Sequence, residues 1–99
     1  MPFVLKHKQT SQLYTCNLIN VYRLPYYGTK FWDFEDDAAT SYIPFLESKG
    51  QPVDEWELLE LSENQLKLCN VKLKNDPQLI LLWDAETQKA RVSTSPSEP

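Results

Sequence analysis

The sequence predicts an α+β fold: a small antiparallel sheet with one or two helices packed on one face. Three observations predict it. β-favouring runs fill the first third of the chain. An apolar stripe at helical spacing follows, made by Phe34, Ala38, Tyr42 and Phe45. Leu79-Ile80-Leu81-Leu82-Trp83 is the most apolar run and has the length of a central strand. With 99 residues, 41% of them hydrophobic, the chain suits one domain.

Phe3-Val4-Leu5-Lys6-His7-Lys8 reads as the opening strand. The polar Gln9-Thr10-Ser11-Gln12 turns it into a second strand over residues 13–23, paired antiparallel with the first. Leu18 and Ile19 are adjacent apolars, which implies a bulge or a strand covered on both faces. Pro25 fixes its own φ, and Gly28 tolerates a positive one, so Tyr26-Tyr27-Gly28-Thr29 reads as a turn. Lys30-Phe31-Trp32 is then a short aromatic strand.

Asp33 suits an N-cap, with Glu35, Asp36 and Asp37 in the first turn, where the helix dipole favours anions. The helix predicted over residues 34–48 contains Pro44, which costs about 3 kcal/mol in a helix interior. A kink near Thr40, or a new first turn at Pro44, would accommodate it. Gly50 ends the helix. Residues 53–61 form a strand with Trp56, Leu58 and Leu61 inward and Glu55, Glu57 and Glu60 outward. Residues 63–74 admit two readings. A strand would place Leu66, Leu68, Val71 and Leu73 well; a helix has a capping box in Ser62 and Gln65 and a stop in Asn75-Asp76-Pro77. The capping box favours the helix. Residues 84–88 turn the last apolar strand back into an edge strand over 89–92. The domain therefore covers 1–92, and residues 93–99, with two prolines and nothing to bury, form a disordered tail. Trp32, Trp56 and Trp83 anchor one core.

Charge is segregated. No acid precedes Asp33; residues 1–32 carry four bases, and residues 33–63 carry ten acids against Lys49 alone, within a net charge of −4. Either the two blocks neutralise each other inside the fold, or the acids form an exposed face that steers a basic partner. The N-terminus has Lys6, His7 and Lys8 where a signal peptide needs apolar residues, and no run reaches the ~18 residues of a membrane span. With two cysteines, Cys16 and Cys69, and nothing that demands a bridge, the expected setting is the cytoplasm.

The residues argue against catalysis. His7 is the sole histidine, and no nucleophile elbow, phosphate loop, dinucleotide fingerprint or zinc motif occurs. The acids around Asp36 and Asp37 lack the spacing of a calcium loop and are explained by the helix start, so no cofactor or metal is expected. What stands out is an aromatic strip interleaved with bases: Tyr22, Arg23, Tyr26, Tyr27, Lys30, Phe31 and Trp32. These residue types are over-represented in protein interfaces. The first expectation is a non-catalytic interaction or regulatory domain that binds a protein partner through this strip or through Asp36 and Asp37, or pairs with itself as a homodimer. A second is a nucleic-acid module, with Tyr22 and Tyr27 stacking bases and Arg23 and Lys30 on phosphates. A third is an enzyme or small-molecule carrier with a pocket beside Tyr27, Trp32 and Asp33.

Overall fold

A computed structural model of the chain describes residues 1–94. Its centre is β1 (Phe3–His7), which alternates its side chains between two buried layers. Val4 and Leu5 are both wholly buried, on opposite faces of the sheet. One edge of β1 pairs along its full length with β6 (Trp56–Glu60), from Phe3↔Glu60 to His7↔Trp56. The other edge is shared by two short strands, β5 (Phe31–Trp32) beside Phe3 and Val4, and β2 (Gln12–Leu13) beside Lys6. β2 passes the sheet on to β7 (Leu79–Asp84), and β7 to β8 (Lys89–Thr94). All pairings are antiparallel, giving six strands and the α+β class that the sequence predicts.

The helices, expected on one face, take opposite faces. α1 (Glu35–Ser48) brings Leu46, Tyr42 and Phe45 onto Leu5, Trp56 and Leu58. α2 (Glu63–Leu73) brings Leu66, Cys69 and Leu73 onto Val4, Leu13, Leu81 and Trp83. The alternation of β1 dictates this, because adjacent apolar residues on a strand need a cover on each side. The tryptophans are divided accordingly. Trp83 belongs to the α2 layer, while Trp56 and the half-buried Trp32 belong to the α1 layer, so they do not share one core.

Several local expectations hold. The capping box of α2 is complete: Ser62 Oγ accepts from Gln65 N–H at 3.0 Å and Gln65 Oε1 accepts from Ser62 N–H at 2.7 Å. Gly50 has φ +70° just past the end of α1. Lys6 and Glu57 form an ion pair at 3.1 Å, and His7 Nε2 lies 3.1 Å from Glu55 Oε1, so part of the acidic block does meet the basic one across β1 and β6.

Others do not. Asp33 does not cap α1: Phe34 occupies that position without a side-chain cap, and it is 69% exposed rather than part of the stripe. Pro44 lies inside one continuous helix. Ala38 and Tyr42 before it and Phe45 and Leu46 after it are packed, which holds both halves of the helix against the protein across the missing hydrogen bond. Residues 53–55 form a 3-10 turn ahead of β6. β8 continues through Ser93 and Thr94, paired with Ile80 and Leu79; residues 95–99 of the expected tail lie outside the described residues.

The largest departure is in residues 13–29. The long strand breaks at Tyr14, whose N–H donates to Leu5 O at 3.0 Å and whose carbonyl accepts from Lys30 N–H at 3.0 Å. The chain then leaves the sheet as a separate hairpin, β3 (Thr15–Ile19) and β4 (Pro25–Thr29). The turn expected at Tyr26-Tyr27-Gly28-Thr29 is strand, and the true turn lies at residues 20–24.

Candidate interaction hairpin

Asn20 builds the tip of the hairpin. Its Oδ1 accepts from Tyr22 N–H at 2.8 Å and Leu24 N–H at 3.0 Å. Its N–H donates to Leu24 O at 3.1 Å, and its carbonyl accepts from Arg23 N–H at 2.9 Å. Arg23 completes the turn at φ +63°, a conformation uncommon for a non-glycine residue. With the backbone closed in this way, the tip side chains stand clear of the other described residues. Val21 is 90% exposed, Tyr22 79%, Ile19 66% and Leu24 59%. Among the described residues no other consecutive stretch exposes so many large apolar side chains.

The base is anchored to α2 and its C-terminal turn. Thr29 N–H donates to Asn70 Oδ1 at 2.9 Å, and Tyr27 N–H donates to Asn75 Oδ1 at 2.6 Å. Asn75 reaches Tyr27 because Lys74 and Asn75 both turn left-handed, at φ 53° and 56°. Gly28 serves the close approach rather than a turn: a Cβ there would sit 2.7 Å from the Tyr26 ring and 3.2 Å from Asn70 Oδ1. Tyr27 hydroxyl and Thr15 Oγ1, 2.7 Å apart, tie the two strands together.

The strip of aromatics and bases does not form one surface. Tyr22 and Arg23 are at the tip. Tyr26 lines a cleft with Pro2, Phe31, Asp33 and Asn70, on the α2 side. Tyr27 and Phe31 pack against the α2 core, and Trp32 packs against the α1 core. Lys30 Nζ lies 4.9 Å from the Trp32 ring and 5.0 Å from the Phe45 ring, so its charge sits on aromatic faces. Asp36 and Asp37 are exposed in the first turn of α1. Tyr27 and Asp33 fall in different clefts, and Trp32 lines neither.

The cleft that takes Tyr27 measures about 430 Å³ and is walled by His7, Thr10, Gln12, Tyr14, Thr15, Gln51 and Trp56. His7 Nδ1 accepts from the N–H groups of Gln9 and Thr10, each at 3.2 Å, which leaves Nε2–H to donate to Glu55. Burial raises the Tyr14 hydroxyl above its ordinary pKa, with Cys16 and Tyr27 adding to the shift. Trp56 Nε1 is buried and, among the described residues, has no hydrogen-bond partner. A smaller apolar cavity of about 180 Å³ lies between α2 and β8, with Leu68, Cys69, Trp83 and Ala90 in its walls. Both thiols are free. Burial pushes Cys69 up to about 11 against the pull of Lys72, and it raises Cys16 despite Lys49 and Lys30 nearby. Neither thiol is an activated nucleophile. Among the described residues no group of three metal-ligating side chains comes together, and no helix is long and apolar enough to cross a membrane.

Of the residues singled out from sequence, Tyr22 and Arg23 fall in this hairpin tip. Ile19, Val21 and Leu24 were missed there, because an apolar β-run reads as core. The available signal was Asn20, whose side chain commonly closes a turn two residues on. No known protein family, curated protein or solved structure matches the chain.

Proposed function

We propose that the protein is a small, non-catalytic interaction domain whose docking element is the tip of the β3–β4 hairpin. The observation that supports this reading is the run Ile19, Val21, Tyr22, Leu24, each 59% or more exposed on a turn already fixed by Asn20. Burying such side chains against a partner stabilises the complex by about 25 cal/mol per Å² of apolar surface removed from water. A turn that is already ordered loses little conformational entropy on docking. Tyr22 and Arg23 are of the types that dominate interface energetics. A cytoplasmic setting, consistent with the two free thiols, belongs to the same proposal.

The nucleic-acid reading has less behind it, since Lys30 is engaged with Trp32 and Phe45 and the strip is divided between faces. The test is a photo-crosslinking amino acid placed at Tyr22 and, as a control, at the exposed Ala39 of α1, in cells of the native host. The expected outcome is a discrete cross-linked protein from position 22 and none from 39. Equal, diffuse labelling at both positions would overturn the reading.

A further inference from the structure

The hairpin also carries an open strand edge, and it can be compared with the other strand edges of the described residues. Among the described residues β6 pairs only with β1 and exposes Glu57 and Glu60, and β8 pairs only with β7 and exposes Lys89 and Arg91. Either edge, laid against its own copy, would bring like charges together, which is how natural sheets discourage edge-to-edge pairing. The outer edge of β4 is closed by Asn70 and Asn75, which take the N–H groups of Thr29 and Tyr27. β5 is two residues long, too short an edge to template another strand, which leaves β3, Thr-Cys-Asn-Leu-Ile, uncharged and, among the described residues, unpaired on its outer side.

The hydrogen-bond pattern shows which groups β3 offers. In an antiparallel pair, residues alternate between bonding to each other and facing outward. Tyr27 faces away from β3, so its partner Asn17 faces away from β4. Ile19 is opposite Pro25, which has no N–H to share, and it falls in the same outward set. Asn17 and Ile19 thus turn N–H and C=O to the open edge, and Asn17 is exposed.

We infer that the partner of the hairpin is a second copy of this chain, joined by antiparallel β3–β3 pairing about a twofold axis at Asn17. This rests on the docking role of the hairpin. The register sets Asn17 against the partner's Asn17 and Thr15 against the partner's Ile19. It brings no two charges into opposition and lays each apolar tip along the base of the other hairpin. The pairing is isologous, so it closes as a dimer and extends no further. The result is a four-stranded sheet that satisfies the open backbone groups of both copies.

The test uses the full chain. Light scattering over a concentration series should show twice the chain mass. Asn17→Lys sets like charges opposite each other on an exposed site and should return the protein to the monomer mass with an unchanged circular dichroism spectrum. In a Cys16→Ser, Cys69→Ser background, Asn17→Cys should oxidise to a covalent dimer. The paired Cα atoms would lie about 5.5 Å apart, within disulfide reach. Glu86→Cys, in the turn before β8, should not cross-link. A protein that stays monomeric, or a dimer that survives Asn17→Lys without cross-linking at position 17, overturns the inference. In either case a different protein captured at Tyr22 would leave the docking role standing, and no capture at all would sink both.

Discussion

In the six-stranded sheet Val4, Leu5, Leu13 and Leu81 are wholly buried; in the β3–β4 hairpin Ile19, Val21, Tyr22 and Leu24 are between 59% and 90% exposed. The two regions draw on similar apolar and aromatic residues. What separates them is cover. The sheet has a helix on each face, and its outer strands carry charge. The hairpin is fastened at its base by two asparagine side chains and, among the described residues, nothing covers its tip. Residue type alone therefore does not say whether an apolar side chain holds the fold together or is available for contact; its layer does.

The comparison can be broken most forcefully in the sheet. Trp83→Ala removes a 6%-exposed ring from the α2 layer and should cost about 3–5 kcal/mol in chemical denaturation. That is comparable to the whole stability of a marginal domain. A loss below about 1 kcal/mol would mean that the α2 layer is not the main core.

The thiols give one probe in each region. At pH 8 a thiol of pKa about 11 is roughly one part in a thousand thiolate. Cys69 should therefore alkylate only on unfolding. Cys16, half-buried in the hairpin and raised by burial, should react in the native state but more slowly than a free thiol. Folded-state pKa values above the unfolded value mean that these thiols favour the fold at neutral pH. That contribution is full below the unfolded pKa and is lost as pH rises from there through the folded pKa, about 11 for Cys69. Equal labelling rates for the two would contradict the difference in cover.

Asn70→Ala sharpens the boundary between the regions. It leaves the buried Thr29 N–H without a partner, a loss of about 1–3 kcal/mol. The amide of Thr29 should exchange faster while those of β7 stay protected. Uniformly faster exchange would show that hairpin and sheet open as one unit. The smallest effect belongs at the tip. Val21→Ser should change stability by no more than about 0.5 kcal/mol, because that side chain is 90% exposed in the free protein.

How far the sequence could be read follows the same division. β1, β6, β7, β8, both helices and the capping box of α2 were legible, because local pattern and tertiary cover agree there. The opposite-face placement of the helices was implicit in Val4-Leu5, a pair that one covered face cannot bury. The hairpin was not legible. Its turn has no glycine, its left-handed residue is Arg23, and its apolar run is indistinguishable by composition from a buried strand. Gly28 misled because glycine marks turns more often than close approaches, and the residue it approaches, Asn70, is 42 positions away. Of the predicted binding residues, Tyr22 and Arg23 lie in the candidate site, while Trp32, Phe31 and Lys30 pack within the domain.

The path of β1 has a consequence for synthesis. Its longest pairing is with β6, about fifty residues later, and the far side of the sheet waits for β7 and β8. The hairpin needs only residues 15–29, so it can close long before α2 supplies Asn70 and Asn75. On a ribosome the element that ends up least covered can thus close well before the layers around β1 are complete.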